Sequence, residues 1–470
     1  MSSHFETIAN REKGLHKSLT AGQMAMIAIG GAIGTGLFLG SGFAIGIAGP
    51  SVLISYAIGG LIALLLMGCL AEMTVAHPTS GSFGAYAEHY IGPWAGFLVR
   101  YAYWACMVLG VGTEVTAVGV YMAYWFPSAP QWIWVLLFSA ALVAVNVMSV
   151  KSFGFVEYWF STIKIAAIVG FILIGAYVVF GSRPAGVGLD NYTARGGFFP
   201  KGAWGTWVAV VVAIFSYLSI EMIAVAAGEA QDPERAVTRA FRATIVRLVV
   251  FYLASIFLML AIVPWNAASA DKSPFVKVME IIGIPGAAAV INFVVLVAAL
   301  SAMNSLLYIS TRMMFSLSRA GHAAERFGRV SASGVPVDAL ALSCAGIAVA
   351  TLVSVIAPQE SFGLMMAISM FGAMFTWFMI FMTHAFFRRA WVAQGNAPLS
   401  FRMWGFPWLT LLGAALMLAV LVTTYFTPMF RLTLIVGVPF LLALLAIYWL
   451  RYRPQQAQRA VDPAASPMRN

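Results

Sequence analysis

Runs of roughly 20 apolar residues follow one another along nearly the whole chain, and a stretch that long is what a helix needs to cross the hydrocarbon core of a bilayer. Twelve such runs stand at 19–45, 50–75, 94–125, 131–149, 155–181, 205–228, 240–264, 286–318, 337–357, 361–387, 407–427 and 431–451. Water-soluble folds cannot bury this much apolar length. Only 9% of the residues are charged, against about 25% in a typical soluble domain. The pattern predicts an all-α integral membrane protein with twelve transmembrane helices. The longest connections are 182–204, 265–285, 319–336 and 388–406, too short for a soluble catalytic domain. The first eighteen residues are polar and carry no signal-peptide apolar core, so membrane insertion is expected to begin with the first run.

The net charge of +10 raises the question of nucleic acid, but Lys and Arg are scattered singly or in pairs through short loops and form no basic stripe. Their sidedness has a different meaning. With a cytoplasmic amino terminus, 20 of the 27 Lys and Arg fall on the cytoplasmic face and 6 on the other, with Lys164 inside a run. The positive-inside rule then places both termini in the cytoplasm of a multi-pass cell-membrane protein. The cysteines, Cys69, Cys106 and Cys344, lie within apolar runs and read as small buried hydrophobes. His77, His89, His322 and His384 fall near cytoplasmic boundaries without pairing at ligand spacing, so no metal and no cofactor is assigned. Aromatics such as Tyr121, Tyr124, Trp125, Phe126, Trp132 and Trp134 read as an interfacial belt.

The first run contains Gly30-Gly31-Ala32-Ile33-Gly34-Thr35-Gly36, four glycines in seven residues at mid-membrane. Each costs about 1 kcal/mol relative to alanine in a helix interior. The Gly30-xxx-Gly34 spacing also suits close packing of two membrane helices. A nucleotide-binding loop is excluded, because no strand precedes the segment and no lysine follows it. Density and a counterpart favour a break: the sixth run holds Phe215-Ser216-Tyr217-Leu218-Ser219-Ile220-Glu221, polar and acidic at similar depth. Transporters place interrupted helices at corresponding positions of two halves, where freed amides bind an anionic group and freed carbonyls a cationic one. An amino acid carries both charges. Runs one and six would each open a five-helix unit, leaving the last two as additions.

In order and spacing, GGAIGTGLF at 30–38, AGPSVLISY at 48–56, AEMTVAHPTSGSF at 71–83, AVNVMSVKSFGFVEYWFSTIKI at 144–165, SIEMIAVAAGEAQDPERAV at 219–237, FYLASIFLMLAIVPWN at 251–266 and SAMNSLLYISTRMMFSLSRAG at 301–321 resemble the amino acid/polyamine/organocation superfamily, and within it the bacterial amino acid transporter family. The resemblance runs from Leu15 to about Arg453. It implies a 5+5 inverted repeat plus two C-terminal helices, with broken first and sixth helices, and proton-driven amino acid import. The corresponding division is a tail at 1–18, a first repeat at 19–204, a second at 205–400, added helices at 401–453 and a tail at 454–470. It further implies that Ala32, Thr35 and Gly36 cradle the substrate carboxylate through backbone amides and the Thr35 hydroxyl. Phe215, Ser216 and Tyr217 would offer carbonyls to its ammonium group, with the Phe215 ring as a gate. The family often has glycine where this chain has Ser219, which leaves the sixth-helix break less marked than the first.

Ionisable groups inside the membrane are candidates for function because burying them is costly. Glu114 lies within the third run, where relatives place an acid near the substrate; a plain interhelical hydrogen bond is the other reading. Glu221 follows the sixth-helix break and could brace it, bind ammonium or carry the proton. Glu229 sits nearer the cytoplasmic end and reads as an anchor of the helix exit, and Glu72 as a partner for an arginine or a cap. Lys164 is either a lysine snorkelling to the cytoplasmic boundary or a proton-exchanging cation set against the broken first helix. The function expected is secondary active import of an L-amino acid, with sodium coupling or exchange as alternatives. The chain lacks the H-E-x-x-H spacing of an intramembrane metalloenzyme and the charge rings of a channel. The apolar surroundings lean towards a neutral or bulky apolar substrate.

Overall fold

The computed structural model describes residues 2–11, 26, 33–227, 232–267 and 272–453. The described residues form a helical bundle. A short helix α1 (Ser2–Arg11) precedes the first membrane segment, of which the described part includes a π-helical turn, Gly36–Gly40, running into α2 (Ser41–Ala48). Gly49 turns the chain at φ 68°, ahead of Pro50, and α3 (Val52–Ala76) runs back. Pro200 fills the space a Cβ at Gly49 would need, so this corner depends on glycine. Then come α4 (Ser82–Tyr90), α5 (Pro93–Met122), α6 (Gln131–Met148) and α7 (Val150–Ala176). Ser149 caps α7, its side chain accepting from the Ser152 amide at 3.0 Å.

The second half holds α8 (Gly202–Tyr217), α9 (Met222–Ala226), α10 (Pro233–Val246), α11 (Ser255–Ile262) and α12 (Pro274–Ile282). It continues with α13 (Ala287–Arg319), α14 (Val337–Ser343), α15 (Ala345–Ile356), α16 (Ser361–Ala393), α17 (Trp408–Phe426) and α18 (Arg431–Ile447). Among the described residues, 10 helical stretches are long and apolar enough to cross a membrane, the longest being Gly36–Ala76 with its Gly49 corner. The expected segment 240–264 is resolved into α10, a π-helical stretch Arg247–Ala254 and α11, with only Val250–Ile262 apolar.

Most boundaries lie within about three residues of the sequence expectation, and the exceptions have a physical reason. Helix α16 runs six residues past 387, because Arg388 turns inward to pair with Glu72 and His384 of the same helix donates to Glu72 at 3.0 Å. Helix α5 is the central post, packed against α13 and α16, while α6 and α18 lie at the rim with apolar side chains such as Leu137 and Ile435 outward. At the Arg-rich end, α1 lies on α4. Phe5 is buried among His77, Tyr86 and His89, and Arg11 donates to Glu88 at 2.5 Å.

Candidate functional site

The sixth-helix break, and the point where the first helix resumes, are visible in the backbone. Ile33 and Gly34 are outside any helix, and the first helical amides, those of Leu37 and Phe38, donate to the Gly34 carbonyl at 3.2 and 3.3 Å. Helix α8 stops at Tyr217, Leu218 is extended, and Ser219 takes φ 74° before α9 begins. Serine thus occupies the left-handed conformation that glycine usually supplies, and the sixth helix is broken outright. The Ser219 carbonyl restarts the chain by accepting from the Met222 amide at 3.2 Å.

The two breaks meet. A Cβ on Gly36 would come within 2.5 Å of the Ser216 Cα and 3.1 Å of the Phe215 carbonyl oxygen, so the missing side chain lets one backbone rest on the other. Ser216 Oγ donates to the Gly36 carbonyl at 2.6 Å and sits 2.9 Å from the Tyr56 hydroxyl. Close packing is therefore part of what Gly36 does, whereas the packing pair expected from sequence was Gly30 and Gly34, of which Gly30 lies outside the described residues; the Gly36 carbonyl rather than its amide carries the hydrogen bond described. Ala32 lies outside the described residues.

Between the breaks is a cavity lined by Gly34, Gly36, Glu114, Phe215, Ser216 and Ser219 on its polar side. Cys106, Met107, Leu218, Ala302 and Leu306 close its apolar side. The space left for water is about 30 Å³, too little for an amino acid without movement of the wall. Glu114 faces the first break: Thr35 donates to it twice, from the hydroxyl at 3.0 Å and from the amide at 3.4 Å. The donors assigned to a substrate carboxylate thus hold a carboxylate of the protein itself.

Other expectations are revised. The Ser216 carbonyl accepts from the Tyr252 hydroxyl at 2.8 Å, which occupies the group expected to meet the substrate ammonium. The Tyr217 ring turns away from the cavity, between Tyr56 and Tyr252, and its hydroxyl donates to the Tyr56 carbonyl at 2.9 Å. Phe215 does line the cavity, and its ring meets Phe362 edge-on at 6.2 Å. Glu221 is not in the cavity wall. It braces the break from behind, accepting from the Tyr103 hydroxyl at 2.6 Å and the Ser219 amide at 3.4 Å.

Lys164 does not snorkel. Its side chain is fully buried, and Nζ donates to Ser301 Oγ at 2.7 Å, with Glu157 Oε1 at 3.9 Å. Of the glycine-rich stretch 30–36 in the first run that it was set against, residues 30–32 lie outside the described residues. Glu157 was not singled out from the sequence, although it stands two turns before Lys164 on one helix face, a spacing that could have flagged it. Glu72 does find an arginine, Arg388, and also the Met403 amide at 2.9 Å. Glu229 lies outside the described residues. His77 and His89, unpaired in sequence, come together with ring centroids 6.1 Å apart, yet no group of three or more potential metal ligands forms among the described residues. Tyr121, assigned to the aromatic belt, is buried. Its partner in the fold is the α13 start, where Asn292 donates to the Tyr121 carbonyl at 2.9 Å.

A multi-pass helical bundle whose buried cavity lies between a broken helix and the point where another helix resumes has the build of a membrane transporter. The sequence places it further: the chain belongs to the amino acid permease family, which it matches over residues 23–460, within the superfamily whose motifs it carries. It is 39% identical over 455 residues to the gamma-aminobutyric acid permease of Bacillus subtilis (strain 168), covering 96% of this chain and 97% of that one. It is 39% identical over 461 residues to the amino-acid permease RocC of the same organism, covering 96% and 98%. It is 38% identical over 434 residues to the aromatic amino acid transport protein AroP of Escherichia coli (strain K12), covering 90% and 95%.

Proposed function

We propose that this amino acid permease imports a neutral L-amino acid by proton symport, through alternating access around the cavity between the two helix breaks. The observation that carries the reading is the pairing of Thr35 with Glu114. An amide and a hydroxyl freed by the first break already hold a carboxylate at the cavity wall. On arrival, the substrate carboxylate takes over those donors together with the Ala32 amide, and the Phe215 and Tyr217 carbonyls serve its ammonium group. Cys106, Met107, Leu218 and Leu306 then face the side chain, which favours an uncharged one. The names of the relatives span gamma-aminobutyric and aromatic amino acids at nearly equal identity, so overall likeness does not choose among substrates. In this reading the bundle has twelve membrane spans, counting Gly36–Ala76 as two and adding the α10–α11 segment. They form two inverted five-helix repeats, 19–204 and 205–400, plus α17 and α18, with both termini cytoplasmic as the Lys and Arg bias supports.

The test is thermal stabilisation of the purified protein by each standard amino acid, with and without sodium, followed by uptake into proteoliposomes under an inward proton gradient. Stabilisation by a group of neutral amino acids, independent of sodium, with accumulation driven by the gradient, is the expected result. A sodium requirement, or stabilisation confined to lysine and arginine, overturns it.

A further inference from the structure

Helices α7 and α13 run side by side, and their facing sides carry a buried polar series with no place in the substrate cavity. Lys164 Nζ donates to Ser301 Oγ at 2.7 Å, and Ser301 Oγ in turn donates to Glu157 Oε1 at 2.6 Å. The direct separation of Lys164 and Glu157 is 3.9 Å, beyond a hydrogen bond, so the serine hydroxyl is the shorter route. Lys164, Ser301 and Glu157 are all fully buried. Glu157 Oε1 also accepts from Ser161 at 3.2 Å, and Oε2 accepts from Asn304 at 3.4 Å. Asn304 is held by Asn146, whose amide donates to its Oδ1 at 2.8 Å. One turn further along, towards the Arg-rich end, Phe153 and Tyr308 stack at 4.2 Å with their rings only 8° from parallel, and Arg312 lies 3.7 Å from the Tyr308 ring. At the other end, Lys164 is near enough to Glu114 for their charges to interact.

We propose that Glu157 is the acceptor of the proton that Lys164 gives up, with Ser301 as the relay, and that the Phe153–Tyr308 stack seals it from the cytoplasmic side until the bundle opens there. This rests on the reading of Lys164 as the proton-coupling group. The step balances without a further reactant. The lysine ammonium loses one proton to Ser301 Oγ while the Ser301 hydroxyl proton passes to Glu157. A buried ion pair thereby becomes a neutral amine and a neutral carboxylic acid. Both end states are accommodated, because Ser161 and Ser301 are hydroxyls that turn from donor to acceptor. A buried pair held only for stability also takes hydrogen bonds to its remaining lone pairs, so what sets the relay apart is that its loss uncouples transport while substrate exchange persists. The charged groups facing the pair are Glu114 beyond Lys164 and Arg312 beyond the aromatic stack, so the series runs acid, base, acid, base from the substrate cavity to the Arg-rich face.

The experiment compares proton-gradient-driven accumulation with substrate counterflow in proteoliposomes, for wild type, Glu157→Gln, Ser301→Ala and Ser301→Thr. Counterflow returns the carrier loaded and needs no net proton release. Glu157→Gln and Ser301→Ala are expected to lose accumulation by at least roughly tenfold while counterflow stays within about twofold, and Ser301→Thr, which keeps the hydroxyl, restores accumulation. If Glu157→Gln accumulates like wild type, or loses counterflow in the same proportion, or if Ser301→Thr behaves like Ser301→Ala, the relay is wrong. If wild type itself accumulates substrate without a proton gradient, the coupling reading of Lys164 falls, and the relay with it.

Discussion

The two helix breaks do the same thing to the backbone by different means. At the first, where Ile33 and Gly34 precede the resumed helix, room is made by omission: Gly36 lies against the Ser216 backbone, and Gly34 against the Ala302 Cβ and the Glu114 carboxylate. The second is made by force. Ser219 is held at φ 74°, a conformation costing an L-residue about 1–2 kcal/mol, and Glu221 and Tyr103 brace it from behind. The glycine-built break depends on space and the serine-built break on hydrogen bonds. A break held by space fails when anything is added, whereas one held by bonds fails when something is removed.

That contrast can be attacked directly. The largest effect belongs to Gly36→Leu: the obstacle is backbone, which cannot swing aside, so uptake should fall to background with a stability loss of about 1–3 kcal/mol or more in a thermal melt. The sequence reading alone expects lost uptake with an otherwise undisturbed protein; the contact with Ser216 adds the destabilisation. If Gly36→Leu transports normally, the space argument is wrong. Next, Glu221→Ala strips the Tyr103 hydroxyl and the Ser219 amide of their acceptor, at about 1–3 kcal/mol, while Glu221→Gln keeps an acceptor and most of the stability. Equal losses in the two variants would mean that the charge, not the hydrogen bonds, supports the break.

Ser219→Gly should move stability the other way, by less than about 1 kcal/mol, since relief of the left-handed cost is partly offset by the freedom glycine gains when unfolded. Uptake is expected to persist. The smallest effect lies away from both breaks. Burial, with His89 nearby, lowers the His77 pKa to about 4, so its protonation is suppressed in the folded protein relative to an ordinary 6.5. The unfolded chain then binds the extra proton first, and stability declines as pH falls from 6.5 towards 4. At pH 6 the loss is under about 1 kcal/mol, and His77→Gln should flatten that part of a melting-temperature profile. Glu88 behaves differently: burial opposes its charge, but Arg100 and Arg11 outweigh that and hold it at about 2, so its contribution persists above 4.5 and is lost only in stronger acid.

The membrane spans were legible because hydrophobic length is a one-dimensional property, and α5 or α17 can be marked by counting apolar residues. The point where the first helix resumes was legible for a related reason, since Gly34 and Gly36 are local features of the sequence. Which group each freed atom meets was not. Nothing local to Thr35 points to Glu114, 79 positions away, and nothing near Ser216 announces Tyr252. Ser219 illustrates the limit most clearly: its residue type argues against a left-handed turn, and only the braces contributed by Tyr103 and Glu221 make the turn stable. Lys164 shows the converse, where distance from the membrane boundary suggested an escape to water that a serine on another helix makes unnecessary.

The seat of the amino-terminal helix has a consequence for how the molecule is made. Phe5 and Ile8 are buried and Arg11 is tied to Glu88, so a segment ahead of the first membrane run binds a surface built from residues 77 to 89. That surface exists only after α3 has been inserted and the chain has turned back through α4. This helix must therefore wait, unplaced, while its receiving site is synthesised. Bulk added beside Phe5 would obstruct this late assembly event.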